Sequence, residues 1–74
     1  MDDQPTTLWS LVRDSRELLC QAKLVPYGIE IHLSYDGETA VTRVFETGDE
    51  ALAWAEQKRG DREAAGWKKK TAGE

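Results

Sequence analysis

The chain has only one cysteine, Cys20, and only one histidine, His32, among its 74 residues. A disulfide within the chain is therefore excluded. Structural zinc sites use four ligands, chiefly thiolates and imidazoles, and one cysteine with one histidine is too few. The sequence also lacks a Gly-rich phosphate loop. No metal or other cofactor is therefore predicted. A chain of this length buries only about 60% of the surface that its unfolded form exposes. Its stability must therefore come from tight packing or from association with a partner.

The sequence also lacks a long apolar run and an excess of basic residues. No stretch approaches the ~18 apolar residues of a membrane-spanning helix, and the polar start MDDQPTT is unlike a signal peptide. With one cysteine, these features predict a cytoplasmic protein without membrane contact. The net charge is −4, from 14 acidic and 10 basic residues. Nucleic-acid-binding domains usually carry a basic excess, so nucleic acid is not favoured as a partner.

Three strand-length runs occupy the middle of the chain. The runs ELLCQAKLV, YGIEIHLSY and TAVTRVFE are separated by VPYG and YDGE. Pro26 presets the φ angle of a turn, and Gly37 accepts the left-handed conformation that a tight hairpin needs. Residues 17–46 are therefore predicted to form an antiparallel meander.

The first hairpin of this meander has a register that its side chains support. If Pro26 and Tyr27 form a two-residue loop, apolar residues face one another on a single face, which should be buried. Lys23 then lies opposite Glu30 on the other face as an opposite-charge pair. The facing apolar pairs are Leu24 and Ile29, Ala22 and Ile31, Cys20 and Leu33, and Leu18 and Tyr35.

The second hairpin leaves two registers open. A two-residue Asp-Gly turn would bury Ala40, Thr42 and Val44. A three-residue turn with a glycine bulge would bury Val41 and Phe45 instead, interrupted by an arginine between them. The bulge is favoured because it buries the only phenylalanine of the chain.

The ends of the domain carry one ambiguous segment and one clear one. Residues 8–16, LWSLVRDSR, fit a helical face, but a strand that turns at Asp-Ser is favoured. Thr47 followed by Glu50 is a capping box, and Ala51, Leu52, Trp54 and Ala55 then form an apolar stripe. The helix is expected to continue past Gly60.

These elements predict an α+β fold. A three- or four-stranded antiparallel meander carries one C-terminal helix packed on one face. Residues 1–74 form a single domain, in which 1–7 and 68–74 are expected to be disordered tails.

A catalytic constellation is not predicted. The register puts Cys20 on the buried face and His32 on the other, beyond the hydrogen-bond reach that a nucleophile and its base require. The acidic residues Glu17, Glu30 and Glu38 share the face of His32 but are expected to be solvated. The chain is therefore predicted not to be an enzyme.

The face opposite the helix, here called the open face, carries exposed apolar residues. Leu19, Val25, Ala40 and Val44 lie there among polar side chains. The N-terminal segment, a second subunit or another partner would cover them. Trp9 and Trp67 either hold the chain ends to the domain or lie in an interface, where aromatic residues are enriched. The predicted interface set is Trp9, Leu19, Val25, Val44 and Trp67.

Three strands followed by VFETGDEALAWAEQKR resemble the AP2-type and integrase-arm DNA-binding domains. Phe45, Glu46, Thr47, Glu50 and Ala51 match the signature with which those domains enter their helix. The resemblance implies DNA contacts from basic residues on or near the sheet. The residues concerned are Lys23, Arg43, Lys68, Lys69 and Lys70.

Two further resemblances concern the whole chain. If the N-terminal segment were helical, the order of helices and strands would be similar to that of double-stranded-RNA-binding domains. Those domains have basic residues at the start of the last helix, where this chain has Gly48, Asp49 and Glu50. The pattern LWSLVR, RELLCQ, YGIEIHLSYDGE, VFETGDEALAWAE also resembles a family of small bacterial proteins of unassigned function. The expected function is a small binding module that self-associates or takes a protein partner, with nucleic-acid binding as the alternative.

Overall fold

Residues 5–69 are described by a computed structural model, which confirms the predicted α+β fold. One antiparallel sheet of five strands, in the order β4-β3-β2-β1-β5, carries a single helix. The sheet has five strands, whereas three or four were predicted. The elements are β1 (Thr6–Arg13), β2 (Arg16–Val25), β3 (Gly28–Tyr35), β4 (Glu38–Phe45), α1 (Gly48–Ala64) and β5 (Lys68–Lys69).

The hairpin of β1 and β2 settles the ambiguity of residues 8–16 in favour of strands. Asp14 and Ser15 form the turn with φ angles of 48° and 69°. Two central residues with positive φ match the right-handed twist of a hairpin, and short polar side chains tolerate this conformation. The strand prediction is therefore confirmed.

The register of β2 against β3 is the predicted one, from Leu18 opposite Tyr35 to Val25 opposite Gly28. Most of these apolar pairs lie on the face that α1 covers, here called the helix-side face. Leu24 is the exception, because it lies at the hairpin end and stays 79% exposed. The prediction that it is buried is wrong.

The hairpin of β3 and β4 contains both features that were treated as alternatives. Asp36 and Gly37 form a two-residue turn with φ angles of 52° and 89°. A bulge then follows at Ala40, because Thr39 pairs with Ser34 while Val41 pairs with Leu33. The favoured register is confirmed, but the turn has two residues and not three.

The prediction that Val41 is buried is wrong, since it stays 36% exposed at the sheet edge, and Phe45 is half-buried. The residues that β4 directs to the helix-side face are Glu38, Val41, Arg43 and Phe45. The expectation that Glu38 shares the face of His32 is therefore wrong, because Glu38 lies opposite Tyr35.

The helix begins at the predicted cap. The backbone N–H of Glu50 donates to Thr47 Oγ1 at 3.2 Å, and α1 continues through Gly60 to Ala64. Ala51 and Ala55 are almost fully buried against the sheet, because small side chains allow a close approach. Leu52, predicted in the apolar stripe, is instead half exposed.

The first and last strands of residues 5–69, β1 and β5, pair with each other. Leu11 pairs with Lys69 and Val12 with Lys68, which makes β5 the edge strand next to β1. The prediction that residues 6–7 and 68–69 belong to disordered tails is therefore wrong. The remaining tail residues, 1–4 and 70–74, lie outside the described part of the chain.

The core lies between the helix-side face and α1. Trp67 stacks edge-on against Tyr35, with ring centroids 5.9 Å apart, so the aromatic side chain just before β5 anchors that strand. Trp9 and Trp67 are each 9% exposed. The buried hydrophobic residues are Trp9, Leu11, Leu18, Cys20, Ile31, Leu33, Ala51, Ala55 and Trp67.

Candidate functional site

Cys20 and His32 lie on opposite faces of the sheet, as predicted. Cys20 pairs with Leu33 in the core, and His32 pairs with Gln21 on the open face. Burial raises the pKa of the Cys20 thiol to about 11, so it carries little thiolate near neutral pH. The two side chains cannot act as nucleophile and base together.

His32 instead belongs to a polar row on the open face. Its Nε2 lies 2.8 Å from Glu30 Oε1, and its Nδ1 lies 3.3 Å from Thr42 Oγ1. The order of carboxylate, imidazole and hydroxyl matches that of an orienting group, a base and a nucleophile. Thr42 lies on an exposed strand, so this row is part of the surface of the sheet. Lys23 lies opposite Glu30 as predicted, but the Glu30 carboxylate contacts His32, and the predicted Lys23–Glu30 ion pair is absent from residues 5–69.

The predicted interface residues do not form one surface. Leu19 and Val25 are half-buried on the open face of β2, and Val44 is 43% exposed on the open face of β4. Trp9 and Trp67 belong to the core on the other side of the sheet. Of the two alternatives for these tryptophans, holding the chain ends in place accounts for their burial.

The predicted nucleic-acid contacts are also dispersed. Lys23 lies on the open face of β2, whereas Arg43 points to the helix-side face of β4. Lys68 and Lys69 lie on β5, at the opposite edge of the sheet from Arg43. Lys70 lies outside the described residues.

A cavity of about 330 Å³ lies between β1, α1 and the end of β5. Arg59 lines it together with Glu56, and these two side chains form an ion pair. Glu56 is the main cause of the raised pKa of the Arg59 guanidinium. The cavity is therefore lined by this ion pair and by Lys69, beside Leu8 and Trp9.

The outer edge of β4 is the longer of the two exposed sheet edges, with eight residues against two in β5. Every residue of this strand except Phe45 is exposed. Antiparallel pairs alternate in hydrogen bonding, and the residues that flank a two-residue turn exchange both bonds. Arg43 and Phe45 therefore direct their backbone groups to β3, while Thr42 and Val44 direct theirs outward.

A cluster of aromatic and basic side chains borders this edge on the helix-side face. The Arg43 guanidinium lies 5.7 Å from the ring centroids of both Phe45 and Trp54. Lys58 Nζ lies 5.4 Å from the Trp54 ring, and the two rings are 5.7 Å apart. These four residues, Arg43, Phe45, Trp54 and Lys58, are here called the cation–aromatic cluster.

The sequence contains a signal for half of this cluster. Trp54 and Lys58 are four residues apart, a spacing that places them on one side of a helix. Arg43, in contrast, looks like an interruption of an apolar strand face. Its role becomes visible only when β4 is at the sheet edge and α1 brings a second ring to it.

Among residues 5–69, no group of His, Cys, Asp and Glu side chains is arranged to hold a metal ion. In the same part of the chain, no helix is both long and apolar enough to cross a membrane. No protein-family model, curated protein or solved structure matches the chain.

Proposed function

We propose that the protein is a small, non-enzymatic binding module that takes up an extended segment of a partner along the outer edge of β4. The observation that carries this proposal is the exposure of the whole strand except Phe45. An added strand gains main-chain hydrogen bonds from such an edge, and neighbouring side chains provide selectivity.

The edge lacks several of the features that protect natural sheet edges from pairing. Proteins usually block an edge strand with proline, charged side chains (lysine especially), a bulge or a very short strand. β4 has eight residues and contains neither proline nor lysine, although Arg43 places one charge on its helix-side face. Its bulge at Ala40 lies near the turn, so residues 41–45 remain regular and available for pairing.

The non-enzymatic role is supported by the separation of Cys20 from His32, which lie on opposite faces of the sheet. Cys20 is buried with a raised pKa, and His32 is held by Glu30 and Thr42 on the open face. These contacts make His32 part of a surface hydrogen-bond row.

Binding can be tested with three fluorescein-labelled heptapeptides in which valine and threonine alternate with glutamate, glutamine or lysine. Fluorescence anisotropy would report the Kd of each peptide for the full chain. We expect at least one Kd below about 1 mM, which corresponds to roughly −4 kcal/mol of binding free energy.

Two variants at one position test whether β4 is the binding edge. Val44→Pro removes a backbone N–H that points outward, a change that edge strands tolerate. It should weaken peptide binding at least tenfold. Val44→Thr keeps the N–H and a β-branched side chain, so its Kd should stay within about twofold of the unchanged protein. Circular dichroism would verify that both variants fold.

Two results would contradict the proposal. One is no binding of any peptide at concentrations up to about 1 mM, and the other is equal Kd values for Val44→Pro and Val44→Thr. Light scattering across a concentration series tests whether the bound segment belongs to a second copy of the chain. A mass that doubles in the unchanged protein but not in Val44→Pro would assign the edge to a second copy of the chain.

A further inference from the structure

We infer that the segment bound by β4 is an acidic extended strand of another protein, whose carboxylates meet Arg43 and Lys58 beside the Trp54 ring. The inference rests on the proposed function and names the class of partner. Both cations lie within 6 Å of the Trp54 ring centroid, at 5.7 and 5.4 Å. The positive charge is therefore concentrated next to the edge that would receive the strand.

Neither cation of the cluster has an acidic partner among residues 5–69. Every ion pair found in that range uses a different basic residue. Arg43 and Lys58 thus keep their charge available to a ligand, unlike Arg59 in the cavity beside β1. The basic residues with acidic partners are Arg13, Arg16, His32 and Arg59.

Two neighbouring rings favour a position of Arg43 beside the strand edge. Its guanidinium lies 5.7 Å from the ring centroids of both Phe45 and Trp54, which are themselves 5.7 Å apart. The cation therefore lies beside both rings, and its exposed N–H groups can make a bidentate contact with a carboxylate. Cation–π attraction to the two rings narrows the positions that the side chain takes, which lowers the entropy cost of binding.

A second copy of the chain fits this edge less well than an acidic strand. In a dimer of this kind, the β4 strands of two copies would pair antiparallel about a twofold axis at Thr42, Arg43 or Val44. The two copies of Arg43 would then lie either directly opposite each other or on a diagonal. Such positions are separated by no more than about 8 Å, within the Debye length of ~10 Å at 0.1 M salt. The two like charges would repel, whereas carboxylates at those positions would attract.

Nucleic acid also fits less well, although it too is anionic. A nucleic-acid strand carries a charge at every phosphate, and Glu46 and Glu50 flank the cluster along the chain. The protein as a whole has a net charge of −4. A peptide strand with alternating carboxylates directs them all to one face, where they can meet Arg43 and Lys58, and its backbone matches the N–H and C=O groups of the strand edge.

The three heptapeptides test this charge selectivity directly. Two partly exposed ion pairs account for about a tenfold difference in Kd. At low salt we therefore expect the glutamate peptide to bind about tenfold tighter than the glutamine peptide, and the lysine peptide to bind weakest. The preference should shrink in 0.5 M NaCl, because salt screens exposed charges.

Matched variants locate the selectivity. In the double variant Arg43→Gln/Lys58→Gln, the glutamate and glutamine peptides should bind with equal Kd. Lys23→Gln makes the same change on the open face and should leave the preference intact. If Arg43→Gln alters the circular dichroism spectrum, Lys58→Gln alone serves as the test. It should reduce the ratio of the glutamine-peptide Kd to the glutamate-peptide Kd about threefold, which is half of the total effect on a logarithmic scale.

The outcomes separate the inference from the proposed function. If all three peptides bind with equal Kd and Val44→Pro still abolishes binding, the inference of an acidic partner is overturned. The proposal that β4 is the binding edge is then retained. No peptide binding would remove both. A single-stranded DNA heptamer that binds tighter than the glutamate peptide would overturn the inference in favour of nucleic acid. A dimer that Val44→Pro disrupts would overturn it in favour of a second copy.

Discussion

Trp9 on β1 donates a hydrogen bond from its indole Nε1 to the carbonyl oxygen of Ala55 on α1, at 3.1 Å and across 46 positions of the chain. Ala51 and Ala55 present almost no side-chain bulk, so the helix lies close enough to the sheet for this contact. The bond joins a strand from the start of the domain to the helix near its end. It therefore helps to hold α1 where Trp54 can contact Phe45 and Arg43.

Trp9→Phe tests this contact. The substitution keeps an aromatic ring in the core but removes the indole donor and part of the buried area. The free energy of unfolding should fall by about 1–2 kcal/mol, measured by urea denaturation. Trp54→Phe is the control, since Trp54 is half-buried and the expected loss is below about 1 kcal/mol. Equal losses in the two variants would argue against an energetic role for the Trp9 bond.

A pair of glycine substitutions tests how the β2–β3 turn contacts the end of β4. Gly28 has a φ angle of 148°, and a Cβ atom there would collide with the backbone carbonyl of Phe45. Gly28→Ala should therefore lower the free energy of unfolding by more than about 2 kcal/mol. Gly60→Ala on α1 meets no neighbour within 4 Å and should stabilise the protein by about 1 kcal/mol. A neutral Gly28→Ala would mean that the turn and Phe45 lie further apart in solution.

The meander was predictable because its signals are local. Turn residues such as Pro26 and Gly37 separate the strands, and side-chain alternation between turns determines the register. The capping box at Thr47 likewise needs only residues of its own turn. Such features depend on backbone preference and on periodicity, both of which are written in consecutive residues.

The remaining features depend on contacts between distant residues. β5 consists of two lysines without any apolar signal, and it pairs with β1 next to the buried Trp67. The burial of Trp9 depends on the close approach of an alanine-rich helix 46 positions away. The cation–aromatic cluster requires Arg43 to lie at a sheet edge beneath α1. None of these arrangements follows from periodicity within a single segment.

Asp36 should make stability depend on acid pH. Its Oδ1 accepts a hydrogen bond from the backbone N–H of Glu17 at 2.9 Å, and its Oδ2 accepts one from Arg16 Nε at 3.2 Å. These bonds, the backbone one first, lower the pKa of the Asp36 carboxyl. The folded pKa lies below the unfolded value of about 3.9. The contribution is therefore present above that value and is lost as the pH falls through the folded pKa.

Asp36→Asn removes this titration and keeps a side chain that tolerates the turn conformation. The unchanged protein should be the more stable of the two at pH 7, and the difference should shrink towards pH 2. Urea denaturation across this range would measure it. Arg16→Gln should retain part of the pH dependence, because the larger cause is the backbone bond from Glu17. A difference that stays constant with pH would contradict this assignment.

The reactivity of the Cys20 thiol shows whether α1 stays packed on the helix-side face. Burial raises its pKa from 9.0 to about 11, which alone leaves about 100-fold less thiolate at pH 8. The native protein should therefore react with Ellman's reagent at least 100-fold more slowly than the protein in 8 M urea, with free glutathione as the reference thiol. Rapid labelling in the native state would mean that α1 separates from the sheet. The apolar helix-side face would then compete with β4 as the binding surface, and Val44→Pro would no longer block every partner.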